Sequence, residues 1–174
     1  MSNSITETNA LSLLNTAIKV AISNWELQNT RLNSLLDKLS DEQLAAQTEP
    51  GRNSGVYLLG HLTGVSDGMF TYLELGDRLH PELDELFLRN PEAAGLQRPS
   101  IVELKAYWTE VNAQLKQKIE ALPVEAWFAK HSAVSAEDFE REPHRNKLNI
   151  LINRTIHQGY HLGQLVYLLS KPNV

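Results

Sequence analysis

Apolar side chains recur at three- and four-residue steps along four long segments of the chain, which is the spacing of amphipathic helices. No segment shows the strict alternation of apolar and polar residues that is typical of a β-strand. The predicted helices run from about Asn9 to Leu39, from Asn53 or Ser54 to about Leu75, from Ser100 to about Leu122, and from about Lys147 to Ser170. Four such helices can enclose one core, so residues 1–174 are predicted to form a single all-α domain, a four-helix bundle.

The segments between the predicted helices are rich in turn-forming and polar residues. Pro50-Gly51 predicts a turn ahead of the second helix, and Pro172 ends the fourth. Residues 78–99 are predicted to be a loop, with one or two helical turns within 82–88, and the polar segment 129–146 is predicted to be a surface connection. Capping boxes, in which Ser precedes Gln or Glu by three positions, are predicted at Ser40 with Gln43 and at Ser100 with Glu103.

The composition excludes several classes of protein. The chain has 174 residues, a mass of 19.6 kDa, a net charge of −5 and no basic run, so nucleic acid is not an expected partner. No apolar stretch is long enough to cross a bilayer, and residues 1–7 lack the basic and then apolar plan of a signal peptide. A cytoplasmic protein without a membrane partner is therefore expected. Without cysteine, the chain has no disulfide, thiolate metal site or cysteine nucleophile.

Two histidines, His157 and His161, stand four positions apart in the fourth predicted helix. At that spacing both side chains lie on one face, close enough for both imidazoles to bind one metal ion, although such pairs also occur on hydrated helix surfaces. The face they share is apolar at both ends and polar in the middle, and burying its polar side chains costs free energy unless partners satisfy them. The residues of this stripe are Ile150, Asn153, Arg154, His157, His161, Gln164, Leu165 and Leu168.

His61 is the best candidate for a third ligand, because it lies in the middle of the second predicted helix in a segment with hardly any charge. Gly60, Gly64 and Gly68 surround it. They either leave open space beside a metal ion or allow another helix to pack closely. Three histidines with a vacant fourth position are typical of a catalytic divalent-metal site. The remaining histidines fall in polar loops and are predicted to be ordinary surface residues: His80, His131 and His144.

The residues around the histidine pair exclude some chemistries. A zinc protease of the H-E-x-x-H type needs glutamate directly after the first histidine, whereas this chain has Gln158 at that position. A di-iron bundle needs inward-facing carboxylates and Glu-x-x-His pairs, and the stripe has none. The G-x-S-x-G turn of serine hydrolases is absent from the sequence as well.

Two motifs together resemble the DinB/YfiT-like superfamily of metal-binding bundle proteins: Leu59-Gly60-His61-Leu62 in the second helix, and His157-x-x-x-His161-x-Gly163-Gln164 in the last. The resemblance covers essentially the whole chain. It implies an up-down-down-up four-helix bundle in which His61, His157 and His161 bind a divalent metal ion, commonly nickel or zinc. It also implies a small-molecule substrate, since members with assigned activities are transferases or isomerases that use low-molecular-weight thiols.

Two classes of function remain open at the level of sequence. The first is a metal-dependent enzyme acting on a small molecule. A thiol S-transferase fits this class better than a hydrolase, because the histidine stripe carries no obvious general base. The second is a non-catalytic protein that binds a metal ion or ligand, or acts in a stress response. A fold hosts unrelated activities, so the resemblance alone does not choose between them.

Two polar neighbours of the histidine pair are candidate ligand-binding residues. Arg154, one turn before the pair, either binds a carboxylate of the ligand or forms a salt bridge with Glu74 or Asp67. Gln164, one turn after it, either hydrogen-bonds a ligand or orients a histidine. Three tyrosines are candidate proton donors or core aromatic residues: Tyr57, Tyr72 and Tyr160.

The fourth predicted helix is apolar over more of its circumference than a bundle requires. With the histidines facing the core, Ile152, Ile156, Gly159 and Val166 point away from it. Either the third helix or the 123–146 connection covers this face, or a second copy of the chain does. Exposed apolar patches usually mark interfaces, and twofold pairing is the commonest closed symmetry, so a homodimer is expected.

Overall fold

A computed structural model describes the backbone of residues 2–170 and the side chains of residues 9–170. This part of the chain is helical and contains no β-strand beyond two isolated bridges. The prediction of an all-α protein is confirmed. The α-helices are α1 (Ser2–Leu36), α2 (Asp41–Ala45), α3 (Gly55–Tyr72), α4 (Ile101–Glu120), α5 (Val124–Trp127), α6 (Ala136–Arg141) and α7 (Lys147–Leu165). A π-helical turn covers Glu85–Arg89, and 3₁₀ turns cover Glu92–Ala94 and Val166–Ser170.

The N-terminal caps of the helices follow the sequence signals. Both predicted capping boxes are present, with Ser40 ahead of α2 and Ser100 ahead of α4. Of the two candidates at the start of α3, Ser54 is the cap, and its side chain accepts a hydrogen bond from the Tyr57 N–H. Each cap satisfies a backbone donor that the helix itself leaves free.

The ends of the long helices differ from the predictions by a few residues. Helix α1 begins at Ser2 and ends at Leu36, earlier than predicted at both ends. Helix α3 ends at Tyr72, because the backbone of Glu74 takes a positive φ of 57° and cannot continue a helix. The fourth long helix extends to Ser170 as predicted, and its last segment, Val166–Ser170, is a 3₁₀-helix. Pro172, its predicted stop, lies outside the described residues.

The segment 129–146 lies largely at the surface, as predicted, but it is more structured than its sequence indicated. This segment contains α6, whose cap Ser135 accepts a hydrogen bond from the Asp138 N–H. It also buries His131, which is 7% exposed, and Val134. The Ser132 N–H donates to the carbonyl of Tyr72, so the segment packs on the C-terminal end of α3. The sequence did not indicate that His131 and Val134 anchor this segment, because most of the residues around them are polar.

Helix α3 is the central element of the core. It packs against both α4 and α7, and α1 packs against α7. Its residues contribute to two hydrophobic clusters, one around Leu59, Leu62 and Phe87 and the other around Met69 and Phe70. His61 lies in the first half of this helix, at the contact between α3 and α7. The up-down-down-up order of the helices stays a prediction.

The outer face of α1 and α7 carries exposed apolar side chains. Ile156 is 65% exposed, and Ile152 and Val166 are exposed as well, so neither α4 nor the 123–146 segment covers this face of α7. A groove of about 360 Å³ runs between the two helices. No helix in the described part of the chain is long and apolar enough to cross a membrane. The groove is lined by Ala17, Val20, Ala21, Asn24, Ile152, Thr155 and Ile156.

Candidate metal centre

Three imidazoles converge at the contact between α3 and α7. The Nε2 atom of His157 lies 3.2 Å from Nε2 of His61 and 3.0 Å from Nε2 of His161. His61 comes from α3, and the other two come from successive turns of α7, as the four-residue spacing predicts. One ring nitrogen from each residue lies within 4.8 Å of the other two, so the cluster could hold a metal ion.

Hydrogen bonds on the far side of two of the rings decide which nitrogen carries the hydrogen. Nδ1 of His61 lies 3.1 Å from the carbonyl oxygen of Phe87, and Nδ1 of His161 lies 2.7 Å from Oε1 of Gln164. Both oxygens are acceptors, so both Nδ1 atoms donate, and in the neutral rings Nε2 presents a lone pair. This is the usual way in which proteins orient metal-binding histidines.

The donor set fits a divalent metal ion better than it fits hydrogen bonding alone. If Nε2 of His157 carried a hydrogen, it could donate to Nε2 of His61 or to Nε2 of His161, but not to both. The buried Nδ1 of His157 has no hydrogen-bond partner, so nothing in the protein prevents this ring from presenting Nε2 as well. Three nitrogens at 2.0–2.1 Å from one tetrahedral ion would lie about 3.3 Å apart, which is close to the distances from Nε2 of His157 to Nε2 of His61 and of His161.

Burial keeps the three imidazoles neutral. It is the main cause that lowers the pKa of His61 and of His161. The pKa of His157 falls to about 4, through burial first and then through the two neighbouring histidines and Arg154. Metal ions bind the neutral form of imidazole. The site is therefore ready to bind a cation at neutral pH without first losing a proton.

The glycines of α3 divide between the two roles that the sequence left open. Gly60 allows close packing, because a Cβ atom there would overlap the ring of Phe87. The element that packs closely against Gly60 is the π-helical turn and not another long helix. A Cβ on Gly68 would lie 3.6 Å from the Tyr72 ring, an ordinary van der Waals contact, and Gly68 lines a cavity instead of packing against another element. Gly64 lies between these cases, with a Cβ position 3.3 Å from the Cβ of Leu83.

Two cavities lie between α3 and α7. The first, of about 270 Å³, is lined by Gly64 and Gly68 of α3 and by Arg154 of α7, and its nearest lining residues stand one helical turn from His61 and His157. The second, of about 280 Å³, is lined by His161 and Gln164 together with the 48–53 loop. The second cavity thus touches the candidate metal centre, and the first begins one turn away from it.

Arg154 lies in the first cavity and forms no ion pair in the described part of the chain. Its guanidinium carbon lies 5.4 Å from the centre of the Tyr72 ring, and its buried Nε has no hydrogen-bond partner. The alternative of a salt bridge is wrong, because both candidate carboxylates have other partners. Asp67 pairs with Arg78, and Glu74 pairs with Lys147.

Gln164 lies directly against the histidine cluster. Its Oε1 accepts from His161, and its Nε2 donates to the Tyr160 hydroxyl at 3.2 Å. Of the two roles considered for Gln164, the structure shows the contact by which it orients His161. The hydroxyl of Tyr57 lies 2.7 Å from the Asn90 carbonyl, so this tyrosine is a core residue that anchors the segment carrying Phe87.

The other histidines lie apart from the cluster. His144 is exposed, as predicted. The prediction for His131 is wrong, since it is buried with its ring edge-on to Tyr72. His80 is also no ordinary surface residue, because its ring stacks on Tyr107 with 3.9 Å between the centroids. Local polarity of the sequence did not reveal these packing partners.

An all-helical chain with three converging imidazoles between two of its helices defines a helical protein with a candidate metal centre. A family model described as the DinB superfamily matches residues 24–165. The chain therefore belongs to the DinB superfamily. The matched region includes His61, His157 and His161. No curated protein matches the chain.

Proposed function

We propose that this protein is a metal-dependent enzyme that acts on a small molecule, as a transferase using a low-molecular-weight thiol. One observation carries the proposal: in the described part of the chain, only three ligand side chains converge, and no carboxylate joins them. Structural zinc sites usually have four protein ligands, whereas catalytic sites have three and an open position. The ion proposed here is nickel or zinc.

A divalent ion bound by three neutral imidazoles would supply the positive charge that favours a thiolate over a thiol or lowers the pKa of bound water. The residues of the chain would hold and orient this centre. Phe87 and Gln164 fix the rings of His61 and His161 through their Nδ1 atoms. The two cavities would admit the thiol and its electrophilic partner.

The lack of a carboxylate in the histidine cluster favours a transferase over a hydrolase. Hydrolysis at such a site benefits from a general base that takes a proton from water. A thiol is more acidic than water and needs less help. In the transfer, its sulfur lone pair would form the bond to an electrophilic carbon, the leaving group would take the old bonding pair, and the thiol proton would pass to water.

Turnover with matched variants tests this function. Protein loaded with nickel or zinc is mixed with cysteine, glutathione or coenzyme A and with 1-chloro-2,4-dinitrobenzene, and release of chloride is followed. Turnover should require the metal and should be lost in His157→Ala but kept in His144→Ala, since His144 is an exposed histidine outside the cluster. Equal rates in the metal-loaded protein and in His157→Ala would contradict the proposal.

A non-catalytic role has one observation in its favour. The ligands come from two helices and stand 96 positions apart along the chain, between His61 and His157, so a bound ion would tie α3 to α7. Binding to the folded state alone raises stability by mass action. A large rise in melting temperature on metal addition, with no turnover of any thiol, would favour this second function.

A further inference from the structure

Arg154 is an unusual neighbour for a metal site. It stands three positions before His157 on α7, a spacing that places two side chains on one helix face with about 5–6 Å between their Cβ atoms. Its positive charge disfavours a cation at the three imidazoles through Coulomb repulsion. The arginine therefore weakens the centre beside it unless an anion binds between them.

Among the residues that the structure describes, none accepts a hydrogen bond from Arg154. A guanidinium has five N–H donors, and stacking on the Tyr72 ring occupies only its face. Its Nε is buried without a partner. Because Arg154 lines the first cavity, a ligand in that cavity can reach donors that no described side chain or backbone group uses.

The other charged side chains at this cavity pair with one another, one cation with two carboxylates. Arg78 donates to both oxygens of Asp84, at 2.6 Å and 2.7 Å, and its Nε donates to the buried Asp67. Asp67 also accepts from the backbone N–H groups of Leu79 and His80. Asp84 still adds negative potential at the wall, which favours an anion of single charge over one of double charge. Arg154 is thus the cation of this cavity without a carboxylate partner.

We propose that the cavity beside the histidines is a carboxylate-binding subsite in which Arg154 anchors the acid group of the substrate or of its thiol co-substrate. This inference rests on the proposed function for what binds at the metal, but not for the anion site itself. A carboxylate matches the fork of guanidinium donors with two parallel hydrogen bonds. Gly68 leaves the space for it, and the reacting atom of the same molecule would lie toward His61 and His157. The substrate class is a small monocarboxylic acid.

The first test uses the metal-free protein, so that it does not depend on metal chemistry. Propionate and its uncharged analogue propionamide are titrated into the protein by calorimetry at fixed ionic strength. Propionate should bind more tightly, by about ten- to a hundredfold, which is the range for hydrogen bonds to a charged group. Arg154→Gln should abolish the preference. Arg154→Lys should keep part of it, because the charge remains while the fork is lost.

A matched control separates a specific site from a general charge effect. Arg89 is exposed at the end of the π-helical turn, and Arg89→Gln removes the same charge from outside the cavity. This variant should keep the full preference for propionate. The inference is overturned if wild-type protein does not prefer propionate, if the preference survives in Arg154→Gln, or if Arg89→Gln also loses it. Tighter binding of inorganic phosphate than of propionate would overturn the carboxylate assignment.

A second test uses the metal-loaded protein and asks whether one ligand bridges both groups. Mercaptoacetate and 3-mercaptopropionate are compared with the neutral thiols 2-mercaptoethanol and 3-mercapto-1-propanol. The acids should bind more tightly than the alcohols of equal length in wild type, and equally in Arg154→Gln. If neither kind of thiol binds while the metal-free protein keeps its preference for propionate, the proposed thiol function fails and the carboxylate subsite stands. If the alcohols bind as tightly as the acids, the bridging ligand is overturned.

Discussion

Nδ1 of His61 donates to the carbonyl oxygen of Phe87 at 3.1 Å, and the ring of the same Phe87 packs on Gly60, the residue just before the histidine. Phe87 of the π-helical turn thus contacts the backbone of α3 through its ring and orients the imidazole of His61 through its carbonyl oxygen. The missing side chain at position 60 allows this approach. A packing contact and the orientation of a candidate metal ligand depend on each other here.

The glycines of α3 provide a pair of identical substitutions with opposite effects. Gly60→Ala should destabilise the protein by about 1–3 kcal/mol, because the new methyl group overlaps the ring of Phe87. Gly68→Ala should stabilise it by about 0.5–1 kcal/mol, since alanine favours a helix and nothing obstructs the methyl group. Urea unfolding measures both. Only Gly60→Ala should also weaken metal binding, and equal effects of the two changes would contradict this account of Phe87.

Metal binding should require all three histidines of the cluster. His61→Ala, His157→Ala and His161→Ala should each lose most of the bound metal while the circular dichroism of the helices is kept. His144→Ala is the control, because His144 is exposed and outside the cluster. Elemental analysis of the purified variants gives the metal content. Full metal content in one variant would remove that residue from the ligand set, and full content in all three would disprove the site.

Acid should destabilise the metal-free protein through the histidine cluster. Burial lowers the pKa of His157 to about 4 in the folded state, whereas its ordinary value is 6.5. Between these pH values the unfolded chain binds a proton that the folded protein does not, so the free energy of unfolding falls as the pH drops. His157→Gln should make this decline less steep. Urea unfolding at several pH values tests it, and an unchanged slope in the variant would contradict the prediction.

Acid should also release the metal ion, because protons compete for the same Nε2 lone pairs. Because the pKa values of all three rings are lowered in the folded protein, that of His157 to about 4, metal affinity should fall only when the pH drops below the ordinary histidine value of about 6.5 and toward these lowered values. Competition with a chelator of known pH dependence measures it. An affinity that stays constant down to a pH of about 4 would contradict imidazole ligands.

Gln164 should act on metal affinity through His161. Gln164→Leu removes the oxygen that accepts from Nδ1, so metal affinity should fall by about 10–100-fold. Gln164→Glu keeps an acceptor at the same place and should retain most of the affinity. Fluorescence or calorimetric titration with zinc compares the two. If the leucine variant binds zinc as tightly as wild type, Gln164 does not position the histidine.

We propose that the exposed face of α1 and α7 pairs two copies of the chain. The groove on this face has no charged lining residue, so no like charges would meet across a twofold axis. Sedimentation equilibrium should give twice the chain mass of 19.6 kDa. Ile156→Glu should reduce it to that of one chain without loss of metal. Val102→Glu, at a 71% exposed apolar position of α4, should leave the mass unchanged. A single-chain mass for wild type at micromolar concentration would refute the dimer.

The sequence by itself determined the features that depend on near neighbours along the chain. The capping residues Ser40 and Ser100 act within three positions of themselves, and the spacing of His157 and His161 places both on one face of a single helix. These relationships follow from helix geometry and hold wherever the helix forms. His61 could be named as the third ligand because its helix is apolar and because the motifs resemble a known family.

Only the tertiary structure decided the relationships between residues far apart in the chain. The Phe87 carbonyl reaches His61 across 26 positions, and His131 is buried although its neighbours in sequence are polar. Asp67 and Glu74 were equally plausible partners for Arg154 until packing gave each of them another cation. A periodic pattern shows which face of a helix is buried but not which distant group meets it. Which groups meet depends on how the helices and loops pack against one another, and in the described part of the chain this packing leaves Arg154 at the cavity without a carboxylate partner.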